Sequence, residues 1–147
     1  MIEKYFKAEK KVSLYLKERS IPLLRYSLGI IYLWFGFLKV IGISPAEELV
    51  ERATHWINVH NIVIVIGVWE MVIGYCLLFR RFKRIGLWLF FLHYPGIWLP
   101  VFLNPEDVFT VIPYGLTLEG QYVVKNLVTL AAALVLVGSL YKPKHSE

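Results

Sequence analysis

Four stretches of this chain are apolar for long enough to cross the hydrocarbon core of a bilayer, which takes about 20 helical residues. They fall at roughly residues 21–43, 62–79, 85–103 and 121–141, with boundaries good to about 2–4 residues. A soluble bundle would need a broad polar face on each helix, and these segments have too few polar residues to make one. Charged residues make up 18% of the chain, against about 25% in an ordinary soluble domain. Aromatic residues make up 16%, the reverse of a disordered composition. The expected fold is all-α: an integral membrane four-helix bundle over residues 21–141, with a basic segment 1–20 before it and a short tail 142–147 after it.

The charges predict an orientation. Before the first span lie Lys4, Lys7, Lys10, Lys11, Lys17 and Arg19. Between the second and third lie Arg80, Arg81, Lys83 and Arg84, and the tail adds Lys142 and Lys144. The two remaining loops hold only Arg52 among basic residues, but carry Glu47, Glu48, Glu51, Glu106, Asp107 and Glu119. Twelve basic residues against one is a strong positive-inside signal, so both termini are expected in the cytoplasm and the protein in a cell (inner) membrane. The basic leader is too long for a cleaved signal peptide, and no small-residue cleavage site follows the first span. A pI near 9.3 follows from these flanks and gives no cause to expect nucleic acid as a partner.

The flanking segments have patterns of their own. Ile2, Tyr5, Phe6, Val12 and Leu16 form a rough helical stripe among lysines, as in an amphipathic segment on an anionic leaflet. A plain solvated leader fits nearly as well. Ser44-Pro45-Ala46-Glu47 reads as a helix start in the first outer loop, followed by Leu49, Val50, Ala53, Trp56 and Ile57 on what would be a short helix at the outer surface. Asn104-Pro105-Glu106-Asp107 is a similar start in the second outer loop.

Ionisable residues inside spans are costly and normally face the bundle interior. Projected at about 100° per residue, Arg25, Gly29, Tyr32, Gly36 and Lys39 share one face of the first span. Gly67, Glu70 and Gly74 share one on the second, and Gly86, His93 and Pro100 one on the third. On the fourth, Gln121, Lys125, Ala132 and Ser139 align, with Thr129 nearby. Small residues mark where helix backbones approach, so these faces predict the packing seam. At 1.5 Å per residue, Glu70 lies roughly 12 Å below the outer surface and His93 near the midplane, with Lys39 and Lys125 closer to the outer ends. Glu119, Gln121 and Asn126 bracket the top of the fourth span.

These residues predict a polar pocket open to the outer side. Glu70 and His93 are its candidate proton-transfer groups, and Lys39, Lys125, Asn126, Glu119, Gln121 and Arg25 its candidate substrate-binding groups. Blander roles compete: a lysine near a helix end can snorkel to the interface, Arg25 can anchor it, and a Lys–Glu pair can simply clamp two helices. Trp34, Trp69, Trp88 and Trp98 suit a flat ring but also suit a membrane interface. The single cysteine, Cys76, is too few for an intramolecular disulfide or a CxxC pair. His55 and His60 lack the cysteine or carboxylate frame of a metal site, and no metal is expected. Phosphate-loop, dinucleotide and GxSxG signatures are absent from the sequence.

At Leu24-Arg25, Trp34-Phe35-Gly36-Phe37-Leu38-Lys39, Trp69-Glu70 with Ile73-Gly74, and Glu119-Gly120-Gln121-Tyr122 with Lys125-Asn126, the chain resembles the DoxX-like family of small four-span membrane proteins from bacteria and archaea. The resemblance runs from Leu23 to Tyr141, and Arg25, Gly36, Lys39, Glu70, Lys125 and Asn126 occupy matching positions. Some relatives are subunits of thiosulfate:quinone oxidoreductase, and others are linked to oxidative-stress or thiol-redox defence. The resemblance thus implies a redox-associated subunit that binds a quinone or a small oxidised sulfur anion. Its electrons would come from a partner protein or directly from substrate, with a quinone the candidate cofactor and none intrinsic to the chain. The same charges also suit a small-anion or proton transporter, or a structural subunit of a membrane complex. The bilayer, a redox partner and further copies of the chain are the partners to consider.

Overall fold

The computed structural model of the chain describes residues 2–44 and 59–141. It is mostly helical: α1 Ile2–Val40, α2 Val59–Leu78, α3 Lys83–Ile97, α4 Leu99–Leu103, α5 Pro105–Val108 and α6 Leu118–Gly138. A two-stranded hairpin, β1 Phe109–Val111 and β2 Gly115–Leu116, lies between α5 and α6. Four helical segments are long and apolar enough to cross a membrane: Tyr5–Val40, Asn61–Leu78, Lys83–Leu103 and Leu118–Gly138. By length and composition this is a multi-pass helical membrane protein. The expected outer-surface helix, with His55, lies outside the described residues.

Two helices depart from the expected boundaries. Residues 1–20 were expected as a segment distinct from the first span, yet α1 is one helix of 39 residues that runs through Pro22. At 1.5 Å per residue it is about 58 Å long, roughly twice the hydrocarbon thickness. Every described side chain from Tyr5 to Ser20 is exposed, so that half of the helix is left uncovered by the other described residues. The expected third span instead divides at Trp98 into α3 and α4. Pro100 supplies no N–H and its ring crowds the carbonyl four residues back, which ends α3 ahead of it. Trp98 N–H turns to the Pro95 carbonyl at 3.1 Å, a tightened final turn.

The closest helix packing joins α1 and α2, and glycines permit it. A Cβ on Gly36 would sit 2.5 Å from the Gly67 carbonyl oxygen, and one on Gly74 would sit 2.6 Å from that of Gly29. The two pairs recur seven residues apart on each helix, two helical turns, so the backbones stay in near contact along the seam. Gly86 brings α3 close to α2, where an added Cβ would sit 2.9 Å from that of Cys76. Leu28, Tyr32, Ile73, Leu77, Leu87, Phe90, Ala133 and Leu136 fill the common core.

The fourth projection does not match the packing. Along α6 the buried positions are Gly120, Val123, Ala133 and Leu136, and of the expected stripe Ala132 and Ser139 are partly covered while Gln121 and Lys125 are exposed. The packed face lies roughly 100° around the helix from the stripe expected from Gln121, Lys125, Ala132 and Ser139. Ala133 and Leu136 reach the core through close packing against the other helices, since leaving lipid for the bundle interior gains no transfer energy. The α6 start lies at Leu118, capped by Thr117, whose Oγ1 accepts from Gly120 N–H at 2.9 Å and donates to the Asp107 carbonyl at 2.6 Å. Asn104 does precede a short helix, α5, but its side chain makes no capping bond.

Candidate functional site: a buried ion pair with histidine and tyrosine

The α1–α2 seam sets the centre of the site. Lys39 follows Gly36 by one turn on α1, and Glu70 follows Gly67 by one turn on α2. Close backbone approach at Gly36–Gly67 leaves the two side chains facing each other. Lys39 Nζ donates to Glu70 Oε2 at 2.6 Å, and both side chains are 11% exposed. This is a short charge-assisted bond. From α3, His93 Nε2 reaches within 3.3 Å of Glu70 Oε1. It is close enough for attraction but badly aligned for a hydrogen bond, and Nε2 is a buried atom without a bonded partner.

Tyr32 completes the group. It lies two turns before Lys39 on α1, and its hydroxyl is likewise buried without an aligned partner. Its ring meets His93 edge to face with centroids 6.2 Å apart, and meets Phe90 at 5.4 Å. Sequence reasoning placed Tyr32 on the glycine face but did not count it with the site. A hydroxyl on the same helix face as Lys39, at membrane depth, was the signal available.

The other expected site residues lie apart from this cluster. Arg25 is about 21 Å away from Lys39 along α1, at 1.5 Å for each intervening residue. Its buried guanidinium donates from Nη1 to the carbonyls of Leu77 at 2.5 Å and Leu78 at 2.8 Å, and it stacks over Tyr26. Those carbonyls end α2 and have no partner within it, so Arg25 caps the negative end of that helix. Lys125 is exposed and lies over the Tyr122 ring at 5.7 Å. Gln121 is exposed and Glu119 half-buried in the first turn of α6. Asn126 donates its side-chain amide to the Tyr122 carbonyl at 3.0 Å, while its backbone carbonyl accepts the Tyr94 hydroxyl at 3.4 Å. Tyr94 stacks on Phe90, so Asn126 adjoins the cluster through two aromatic rings.

Trp69 donates Nε1–H to the Leu89 carbonyl at 3.3 Å and ties α2 to α3 just beside Glu70. Trp34 and Trp88 point outward. Cys76 is buried and unpaired. Among the described residues, no three His, Cys, Asp or Glu side chains gather as metal ligands would. What the cluster offers is a neutralised ion pair with an imidazole beside it and a phenol packed edge to face on that imidazole. Against protein-family models, curated proteins and solved structures, the chain gives no match.

Proposed function

We propose that this protein is a DoxX-like, redox-associated membrane subunit whose Tyr32–Lys39–Glu70–His93 cluster takes a quinone headgroup. In this proposal both termini are cytoplasmic and the cluster is served from the periplasm or cell exterior. The supporting observation is that Tyr32 Oη and His93 Nε2 are both buried without an aligned hydrogen-bond partner, on rings whose centroids lie 6.2 Å apart. Buried polar atoms are normally satisfied, and a hydroxyl with an imidazole N–H can supply two hydrogen bonds to a carbonyl-bearing ring. Lys39 is already neutralised by Glu70, which disfavours a sulfur anion or an anion pathway and favours a neutral ligand.

A quinone bound there supplies two-electron, two-proton redox chemistry, with the electrons coming from a partner protein. His93 and Tyr32 hold exchangeable protons at Nε2 and Oη. Glu70 stands beside His93, and Lys39 pairs with Glu70. A second reading rests on the same seam. The Lys39–Glu70 bond lies one turn from the Gly36–Gly67 approach, where it can fix the helix register of an assembly subunit.

The two readings part in a titration. A soluble short-chain quinone added to the purified protein should quench tryptophan fluorescence saturably. Tyr32→Phe and His93→Gln should each weaken binding about 3- to 10-fold, the worth of one hydrogen bond, without changing the melting temperature much. Binding that is absent, or equal in wild type and both variants, would leave only the structural reading.

A further inference from the structure

At the opposite, basic end of the bundle the helices part around a cavity of about 330 Å³, a volume typical of small-ligand sites. Arg25 from α1, Arg80 from the α2–α3 link and Lys83 from the first turn of α3 line it, with no acidic side chain among its lining residues. Leu77, Leu87 and Leu136 form apolar walls. Arg80 and Lys83 belong to the basic link, and the tertiary fold brings Arg25 of α1 beside them.

Arg25 is the fixed member. It is only 8% exposed, and its two bonds to the end of α2 use Nη1, one corner of a fork that holds five N–H donors. The remaining donors belong to a guanidinium whose position is locked. The positive end of the α3 dipole adds to the field at Lys83. Three like charges around one cavity repel one another, and an anion between them turns that repulsion into attraction.

We propose that this cavity binds the phosphate headgroup of an anionic phospholipid from the leaflet at the basic end. Arg25, Arg80 and Lys83 hold the phosphate, and the lipid's glycerol and first acyl carbons lie against Leu77, Leu87 and Leu136. Basic pockets between membrane helices recognise anionic headgroups in this way. The site shares no residue with the proposed quinone cluster and stands without it.

The exposed Lys7, Lys10, Lys11, Lys17 and Arg19 also attract anionic lipid, so the test must separate a pocket from a charged arm. The full chain, purified in neutral detergent, is titrated with phosphatidylglycerol, phosphatidylcholine or inorganic phosphate and read by native mass spectrometry. One phosphatidylglycerol should bind at least about tenfold more tightly than phosphatidylcholine. Arg80→Ala/Lys83→Ala should lose on the order of tenfold of that affinity, whereas Lys10→Ala/Lys11→Ala, with the same charge change, should lose about twofold at most. Equal losses in the two double variants, or equal binding of the two lipids, would overturn the proposal. Low-millimolar phosphate that displaces phosphatidylglycerol would assign the cavity to a free anion instead and overturn the lipid assignment.

Discussion

Breaking the Lys39–Glu70 pair one side at a time, and then both sides together, tests whether the seam holds a mutually dependent ion pair. The pair is short, at 2.6 Å, and each side chain is 11% exposed, so neither charge has ready access to water. Lys39→Met strands a carboxylate, and removing one partner of a buried pair costs about 3–5 kcal/mol. Glu70→Met strands the ammonium at similar cost. Replacing both residues with apolar ones of similar size removes the pair and its desolvation together, which is often near neutral. The double variant Lys39→Met/Glu70→Met should therefore recover most of the loss, with a coupling free energy of about 3 kcal/mol or more. Thermal unfolding of the purified protein in one detergent, followed by circular dichroism, measures it. Additive destabilisation in the double variant would refute the reasoning, because it would mean the two charges do not depend on each other.

The seam itself should be intolerant of any Cβ. Gly36→Ala and Gly74→Ala meet backbone atoms at 2.5 Å and should each cost about 1–3 kcal/mol, whereas Gly96→Ala and Gly138→Ala meet nothing within 4 Å and should be near neutral in the same melt. Arg25→Met removes two charge-assisted bonds to the end of α2 and should cost about 2–3 kcal/mol, with Arg25→Lys recovering only part because an ammonium lacks the fork. Cys76→Ala should leave fold and function intact; on that background a cysteine at Glu106 should react with a membrane-impermeant thiol reagent in intact cells and one at Lys83 should not. The reverse labelling pattern would invert the proposed orientation.

How far the residues revealed the structure depends on how local the deciding physics was. The spans were legible because about 20 apolar residues in a row have few other uses. The α1–α2 seam was legible because its glycines and charges share one helical period, and a backbone that must be approached closely leaves a glycine behind. Lys39 and Glu70 followed from that seam. The face of α6 was not legible: Gln121, Lys125, Ala132 and Ser139 line up as well as any packing stripe, but Ala133 and Leu136 win the core through contacts made by other helices. The partners of Arg25 were not legible either, since they are carbonyls 52 and 53 residues away, and carbonyls carry no sequence signal. Trp98 marks the break in the third span only because Pro95 and Pro100 flank it, a boundary that proline chemistry could have supplied. The short β1–β2 hairpin, paired Phe109 to Leu116, has too few residues for any period to show.

The central claim is that Tyr32 and His93 face a quinone headgroup beside the Lys39–Glu70 pair. A quinone analogue carrying a photoreactive group on its ring, irradiated with the purified protein and mapped by peptide mass spectrometry, tests it most directly. The account predicts adducts on α1 between Tyr32 and Lys39 and on α3 around His93, suppressed by excess unlabelled quinone and reduced in His93→Gln. Adducts confined to the basic end around Arg25 and Arg80, or labelling that unmodified quinone does not suppress, would contradict it.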